Sequence, residues 1–151
     1  MSIGPALAAM HTAQVFTGLH HMQLAMPAGQ EVRAREFYVT VLGMVEIDKP
    51  PVLAARGGAW FRGGGLELHL GVEDDFRPAR KGHPGILVEE LDEIARRVAT
   101  TGQDVTWDRD FPGFRRFYAH DPFGNRLEFL EPAGRYERRS LPRTARQPHQ
   151  S

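Results

Sequence analysis

The stretch Asp121-Pro122-Phe123-Gly124-Asn125-Arg126-Leu127-Glu128-Phe129-Leu130-Glu131-Pro132 decides how the rest of this chain is read. Asp-Pro followed by Gly-Asn is turn chemistry. Proline presets one backbone angle, glycine accepts the left-handed one, and the short polar side chains bond to nearby backbone. After the turn, Leu127 and Phe129 share one face of a predicted strand, while Arg126, Glu128 and Leu130 share the other. A carboxylate, Glu128, is thereby set on the face away from the core.

An earlier stretch has the same pattern. Leu66-Glu67-Leu68-His69-Leu70 alternates, and Gly65 lies four residues before His69 as Gly124 lies four before Glu128. Upstream, residues 30–42 carry apolar side chains at 34, 37, 38, 41 and 42, a helical period stopped by Gly43; residues 90–101 carry Leu91, Ile94, Ala95 and Val98, stopped by Gly102. Each glycine precedes its strand residue, His69 or Glu128, by 26 positions. An alternating strand precedes each helix. In residues 19–26, Met22, Leu24 and Met26 oppose His21, Gln23 and Ala25; in residues 83–88, Ile86 and Val88 oppose His83, with Pro84 marking an edge strand or a strand start. His21 stands 22 residues before Gly43 and His83 19 before Gly102, so the difference falls in the strand-to-helix connection. Short strands are expected at 44–48, 59–62, 104–107 and 115–120, and a strand or loop at 52–55. The chain reads as β-α-β-β-β written twice, an α+β fold.

Superposing the halves places His21 on His83 and His69 on Glu128. Their apolar neighbours occupy the opposite parity and face the helices, which leaves three imidazoles and one carboxylate on the other face. If the two sheets curl toward each other, these groups line a polar cavity. Imidazole nitrogen and carboxylate oxygen suit Zn, Ni, Co, Mn or Fe(II), and three or four such ligands leave positions open for water and substrate. A metal held this way polarises a carbonyl or hydroxyl oxygen, stabilises an enediolate or binds dioxygen.

Composition narrows the setting. With 151 residues and 41% hydrophobic content, one ordinary domain is expected over 19–132, built from modules 19–72 and 83–132, behind an extension at 1–18. The absence of cysteine excludes disulfides, thiolate ligands and a cysteine nucleophile. Residues 133–151 hold five arginines against one glutamate, about +4, and the remainder balances it at about −4. This composition predicts a basic, disordered tail rather than a nucleic-acid surface. The apolar run at 6–10 is too short for a secretion signal or a membrane span, so a cytoplasmic protein is expected.

Four segments together resemble the vicinal oxygen chelate superfamily, which includes glyoxalase I, extradiol dioxygenases, fosfomycin-modifying enzymes, methylmalonyl-CoA epimerase and bleomycin resistance proteins. They are His20-His21-Met22-Gln23-Leu24-Ala25-Met26, Phe37-Tyr38-Val39-Thr40-Val41-Leu42-Gly43-Met44, Gly82-His83-Pro84-Gly85-Ile86-Leu87-Val88 and Asp121 to Phe129. The resemblance implies paired βαβββ modules forming an open mixed-sheet barrel, the glyoxalase-like fold, around a divalent metal held by His21, His83 and Glu128. Glyoxalase-like members place a glutamate or glutamine where this chain has His69, so His69 or its neighbour Glu67 is the fourth ligand. The resemblance also implies that Glu128 is catalytic, because a ligand glutamate in such mechanisms can dissociate to take a proton. The implied function is a metal-dependent lyase or isomerase acting on a small substrate chelated through adjacent oxygens. An extradiol-type Fe(II) dioxygenase and a non-catalytic drug- or metabolite-binding protein are the alternatives. A homodimer is expected.

Around that site, Gln23, Trp60, Glu67, Phe111, Phe114 and Arg126 are expected to line the substrate pocket. Phe111-Pro112-Gly113-Phe114 is an aromatic connection suited to capping a cavity, and Arg77, Arg80 and Lys81 stand just before His83, where they can steer an acidic substrate.

Overall fold

The computed structural model describes residues 15–140, with side chains described through Arg138; most of the 1–18 extension and the end of the basic tail lie outside. Two four-stranded mixed sheets make up the molecule. The first contains β1 (Met22–Met26), β2 (Val45–Ile47), β3 (Ala59–Gly63) and β4 (Leu66–Val72) in the order β1-β4-β3-β2. The second contains β5 (Gly85–Leu87), β6 (Thr106–Asp108), β7 (Phe114–His120) and β8 (Arg126–Pro132) in the order β5-β8-β7-β6. In each module the first strand pairs in parallel with the last, and the other pairings are antiparallel. The register carries the repeat into three dimensions. Gln23 lies opposite His69, and Gly85 opposite Glu128, so His21 and His83 each stand two residues before the position that faces the key residue of the last strand.

The first crossover helix begins as α1 (Glu31–Arg35) and continues as a π-helical turn over Glu36–Val41. The sequence period predicts an uninterrupted α-helix there. The wider turn buries Phe37 and Tyr38 side by side and carries the bond from the Leu42 N–H to the Phe37 carbonyl, 2.9 Å. Gly43, at φ +78°, then ends the helix in the left-handed region. A short α2 (Pro51–Ala54) replaces the strand or loop expected near residues 52–55, because Pro51 enters with the backbone angle a first helical turn requires. The second crossover is α3 (Leu91–Ala99), which buries Leu91, Ala95 and Val98.

Leu68, Leu70, Leu127 and Phe129 point into one core shared by both modules. Tyr38 stacks on Phe61 at 5.1 Å, and Phe117 stacks on Phe129 at 5.1 Å. Each such large side chain contributes about 1.5–3 kcal/mol through burial.

The Asp-Pro-Phe-Gly-Asn turn clasps one module to the other. Asp121 is buried and accepts four hydrogen bonds: from the N–H groups of Phe123 and Asn125, both 2.9 Å, and from the Tyr38 hydroxyl and the Asn125 amide, both 2.8 Å. The Asn125 amide also donates to the Ala25 carbonyl in β1, 2.8 Å. The turn motif is thus bonded to the first helix and first strand of the other module.

The last described element, α4 (Ala133–Ser140), is helical where the sequence composition predicts the start of a disordered tail. Specific contacts hold it. Arg115 lies 3.6 Å over the Tyr136 ring, and Arg135 pairs with Glu89 at 3.1 Å. Among the described residues no helix is long and apolar enough to cross a membrane.

Candidate metal centre

On the face of the second sheet opposite Phe129 and Leu127, His83 and Glu128 meet. His83 stands two residues before the start of β5, and its Nδ1–H donates to the Lys81 carbonyl at 2.7 Å. A carbonyl can only accept, so a neutral His83 ring carries its lone pair on Nε2. That atom lies 3.0 Å from Glu128 Oε2. Two lone-pair donors at this distance must share a cation, either a proton or a metal ion, and imidazole with carboxylate is a donor set for a divalent metal. The residues therefore fit the group that the sequence pattern implies.

Glu128 is 8% exposed, and its other oxygen, Oε1, accepts from Arg116 Nη1 at 3.0 Å. Arg116 in turn bonds through Nε to Asp108 at 3.0 Å. The backbone N–H of Asp110 and then Arg116 hold the Asp108 carboxyl below its usual range. Tyr118, the cross-strand partner of Glu128, sits edge-on to His83 at 5.5 Å. Arg116 is a site residue that the sequence reading passes over. Its signal was available, since Arg116 and Tyr118 share the strand parity opposite the buried Phe117 and Ala119.

The first sheet builds a different cluster at the equivalent place. His69 lies between two rings, with Trp60 stacked on one side at 3.8 Å and His21 on the other at 4.1 Å, and it is 3% exposed. Its Nε2 is 2.9 Å from Glu67 Oε1, while Arg62 holds Glu67 Oε2 at 2.9 Å. His69 and then Arg62 hold the Glu67 carboxyl at about 2. Burial pushes the His69 imidazole down, against the pull of Glu67. His20 and His21 precede β1 and escape its alternation, so their Nδ1 atoms lie 2.9 Å apart instead of on opposite sides.

The expected ligands thus form two groups: His83 with Glu128 on one sheet, and His21 with His69 and Glu67 on the other. Among the described residues, no three His, Asp or Glu side chains converge as a metal-binding group. An open cavity of about 590 Å³ runs between the two edges, with His20, His21 and Glu67 on one wall and Gly85 to Glu89 on the other. Of the expected pocket residues, Trp60 and Glu67 sit in the His69 cluster. Phe111 packs against Phe114 at 5.1 Å and under Arg116 at 4.9 Å, and Arg126 lies over Tyr118 at 4.1 Å. Gln23 is exposed and turns toward Gly71, lining a smaller cavity of about 250 Å³ with Trp60, Lys49 and Arg56.

Residues 18–129 match the family model described as Glyoxalase/Bleomycin resistance protein/Dioxygenase superfamily. A glyoxalase family protein from Bacillus anthracis is 45% identical, with 78% of this chain and 96% of that chain covered at a TM-score of 0.74. A lactoylglutathione lyase from Agrobacterium tumefaciens is 26% identical, covering 76% of this chain and 93% of that one, TM-score 0.53. The fosfomycin resistance protein FosX from Listeria monocytogenes shares the fold at 19% identity and TM-score 0.62, covering 78% and 95%; a variant of it has been crystallised with Mn(II) and 1S,2S-dihydroxypropylphosphonic acid. None of the curated proteins matches.

Proposed function

The chain belongs to the Glyoxalase/Bleomycin resistance protein/Dioxygenase superfamily, and on that premise we propose that it is a metal-dependent lyase or isomerase whose small substrate is chelated through two adjacent oxygens. The observation that carries this reading is the His83–Glu128 pair, two donors aimed at one point 3.0 Å apart with His83 fixed from behind by a backbone carbonyl. His21 completes the set. The chain's own His21 stacks in the other sheet's cluster, so we take the third ligand to come from a second copy, with His83 and Glu128 from one protomer and His21 from its partner, in a homodimer. When bound, a divalent ion polarises the substrate's oxygens.

The chain's own residues supply the rest. Arg116 anchors Glu128 by Oε1, and Oε2, the oxygen turned toward His83, would hold the ion and can take a proton from the substrate only once released from it. His69, sandwiched between rings and bonded to Glu67, positions its neighbours instead of ligating.

Removing His69 from the ligand set leaves two histidines and one glutamate, which favours a second reading as an extradiol-type Fe(II) dioxygenase. Metal content of protein purified without added metal tests the shared core. His21→Ala, His83→Ala and Glu128→Ala are each expected to hold less metal than the parent, and His69→Ala to keep it; undiminished metal in all of the first three refutes the site. Glu67→Gln tests the remaining candidate for a fourth ligand. Oxygen uptake with catechols, against turnover of hemithioacetals without oxygen uptake, separates the two activities.

A further inference from the structure

We propose that Arg126 seats a second anionic group of the substrate, so that the site takes chelating hydroxy acids, or their relatives, that carry a further carboxylate or phosphoryl group. The proposal rests on the reading of His83 and Glu128 as metal ligands for the position of the substrate's other end.

Arg126 and Glu128 are two residues apart on β8 and share a face, so their backbone roots lie about 7 Å apart. The Arg126 guanidinium is held 4.1 Å over the ring of Tyr118, the residue paired across the strands with Glu128 and set edge-on to His83. Stacking on an aromatic face covers the guanidinium plane and leaves its rim of N–H donors free. Other arginines on the sheets use those donors: Arg62 on Glu67, Arg115 on Asp92 and Glu131, Arg116 on Asp108 and Glu128. Arg126 makes no hydrogen bond and no ion pair among the described residues. It is a positioned fork without an acceptor, beside the point where the metal ligands meet.

Charge balance argues in the same direction. Arg116 and Arg126 offset Asp108 and Glu128, so a divalent ion with neutral histidines leaves this pocket at about +2, which a dianionic substrate neutralises. A hydroxy acid that would chelate through its hydroxyl and carboxylate, with its second anion one or two carbons further on, has a length comparable to the roughly 7 Å between the backbone roots of Glu128 and Arg126. Arg77, Arg80 and Lys81 are exposed, form no ion pair among the described residues and lead directly into His83, adding a steering field for such an anion.

Calorimetric titration of the holoprotein with two matched pairs of probes tests the assignment: malate against 2-hydroxybutyrate, and 3-phosphoglycerate against glycerate. Within each pair the chelating group is the same and only the distal anion differs. The parent is expected to bind at least one dianion about tenfold or more tightly than its partner, and the pair that shows the preference identifies carboxylate or phosphoryl as the group. Arg126→Gln is expected to lose the preference while retaining the parent's metal content, and Arg126→Lys to keep part of it. Equal affinities within both pairs in the parent, a preference that survives in Arg126→Gln, or no binding of either dianion overturns the proposal. Metal content reports separately on the proposed function. Should the parent hold no metal, that function fails, and the same titrations on the metal-free protein still decide Arg126: malate or phosphoglycerate binding lost in Arg126→Gln supports it, and unchanged binding refutes it.

Discussion

Replacing Asp121 by alanine tests whether the Asp-Pro-Phe-Gly-Asn turn is an inter-module clasp. The substitution removes the acceptor for four hydrogen bonds and leaves the Tyr38 hydroxyl, on a residue with 0% exposure, without a partner. A buried donor left unsatisfied costs about 1–3 kcal/mol, so several together set an upper range well above the usual single substitution. Part of that is returned, because burial raises the Asp121 carboxyl above its usual range despite the bonds from Asn125 and Tyr38, and its ionised form already sits at a disadvantage. A net loss of about 3–5 kcal/mol follows, which for a chain of this size corresponds to a fall in Tm of about 10 °C. Tyr38→Phe removes one donor, leaves the carboxylate with three, and is expected to cost about 1 kcal/mol, or about 3 °C.

Thermal melts by circular dichroism on metal-free protein measure both. The pH dependence supplies a sign. A carboxyl whose folded pKa is raised contributes most fully below its unfolded value of 3.8 and loses that contribution as pH rises through the folded value. The gap in stability between parent and Asp121→Ala therefore widens as pH falls from 7 toward 4. An Asp121→Ala protein melting within about 2 °C of the parent, less than 1 kcal/mol for this size of chain, refutes the clasp. A gap that narrows in acid refutes the raised carboxyl.

Other outcomes are expected of the site. In metal-free protein, burial holds His69 below 6.5, so its contribution is complete above that pH and is lost as pH falls through the lower folded value; His69→Gln should flatten this part of the Tm–pH curve, and an unchanged curve excludes the effect. Arg116→Gln should weaken metal binding by about 10–100-fold, with Arg116→Lys intermediate, as read by competition with a chelating dye; parent-like affinity in both shows that the contact to Glu128 Oε1 does not orient the ligand. Chelation of metal present at about 100 times its Kd should lower Tm by about 8 °C, and a melt indifferent to chelator argues against a tightly held ion. Co-refolding His21→Ala with His83→Ala should regenerate metal binding that neither has alone, because mixed dimers contain one intact set; no recovery places the site within a single chain.

The internal repeat was legible because both sources of regularity are local. The period of apolar residues assigns faces, and glycines that end helices fix lengths, so the offset from Gly43 to His69 and from Gly102 to Glu128 predicted the matching registers that the two sheets adopt. The π-helical turn at Glu36–Val41 was not legible, since it depends on how Phe37 and Tyr38 are buried together under the sheet. Nor was α4, whose arginine-rich composition suggests disorder until Arg115 and Glu89 offer its residues partners. Strand parity named Glu128, His83, His21 and His69 as one face, but parity is silent about distances across a seam between modules.

By itself, the sequence determined the βαβββ duplication, the strand faces of Glu128 and His69, and the residue types available to a metal. Tertiary structure alone decided their grouping: His83 with Glu128 under Arg116, and His69 enclosed between Trp60 and His21 with Glu67 on its edge. The physical reason is that alternation along a strand is set by backbone geometry within a few residues, whereas ring stacking, ion pairing and the choice of hydrogen-bond partner depend on neighbours in other strands and loops.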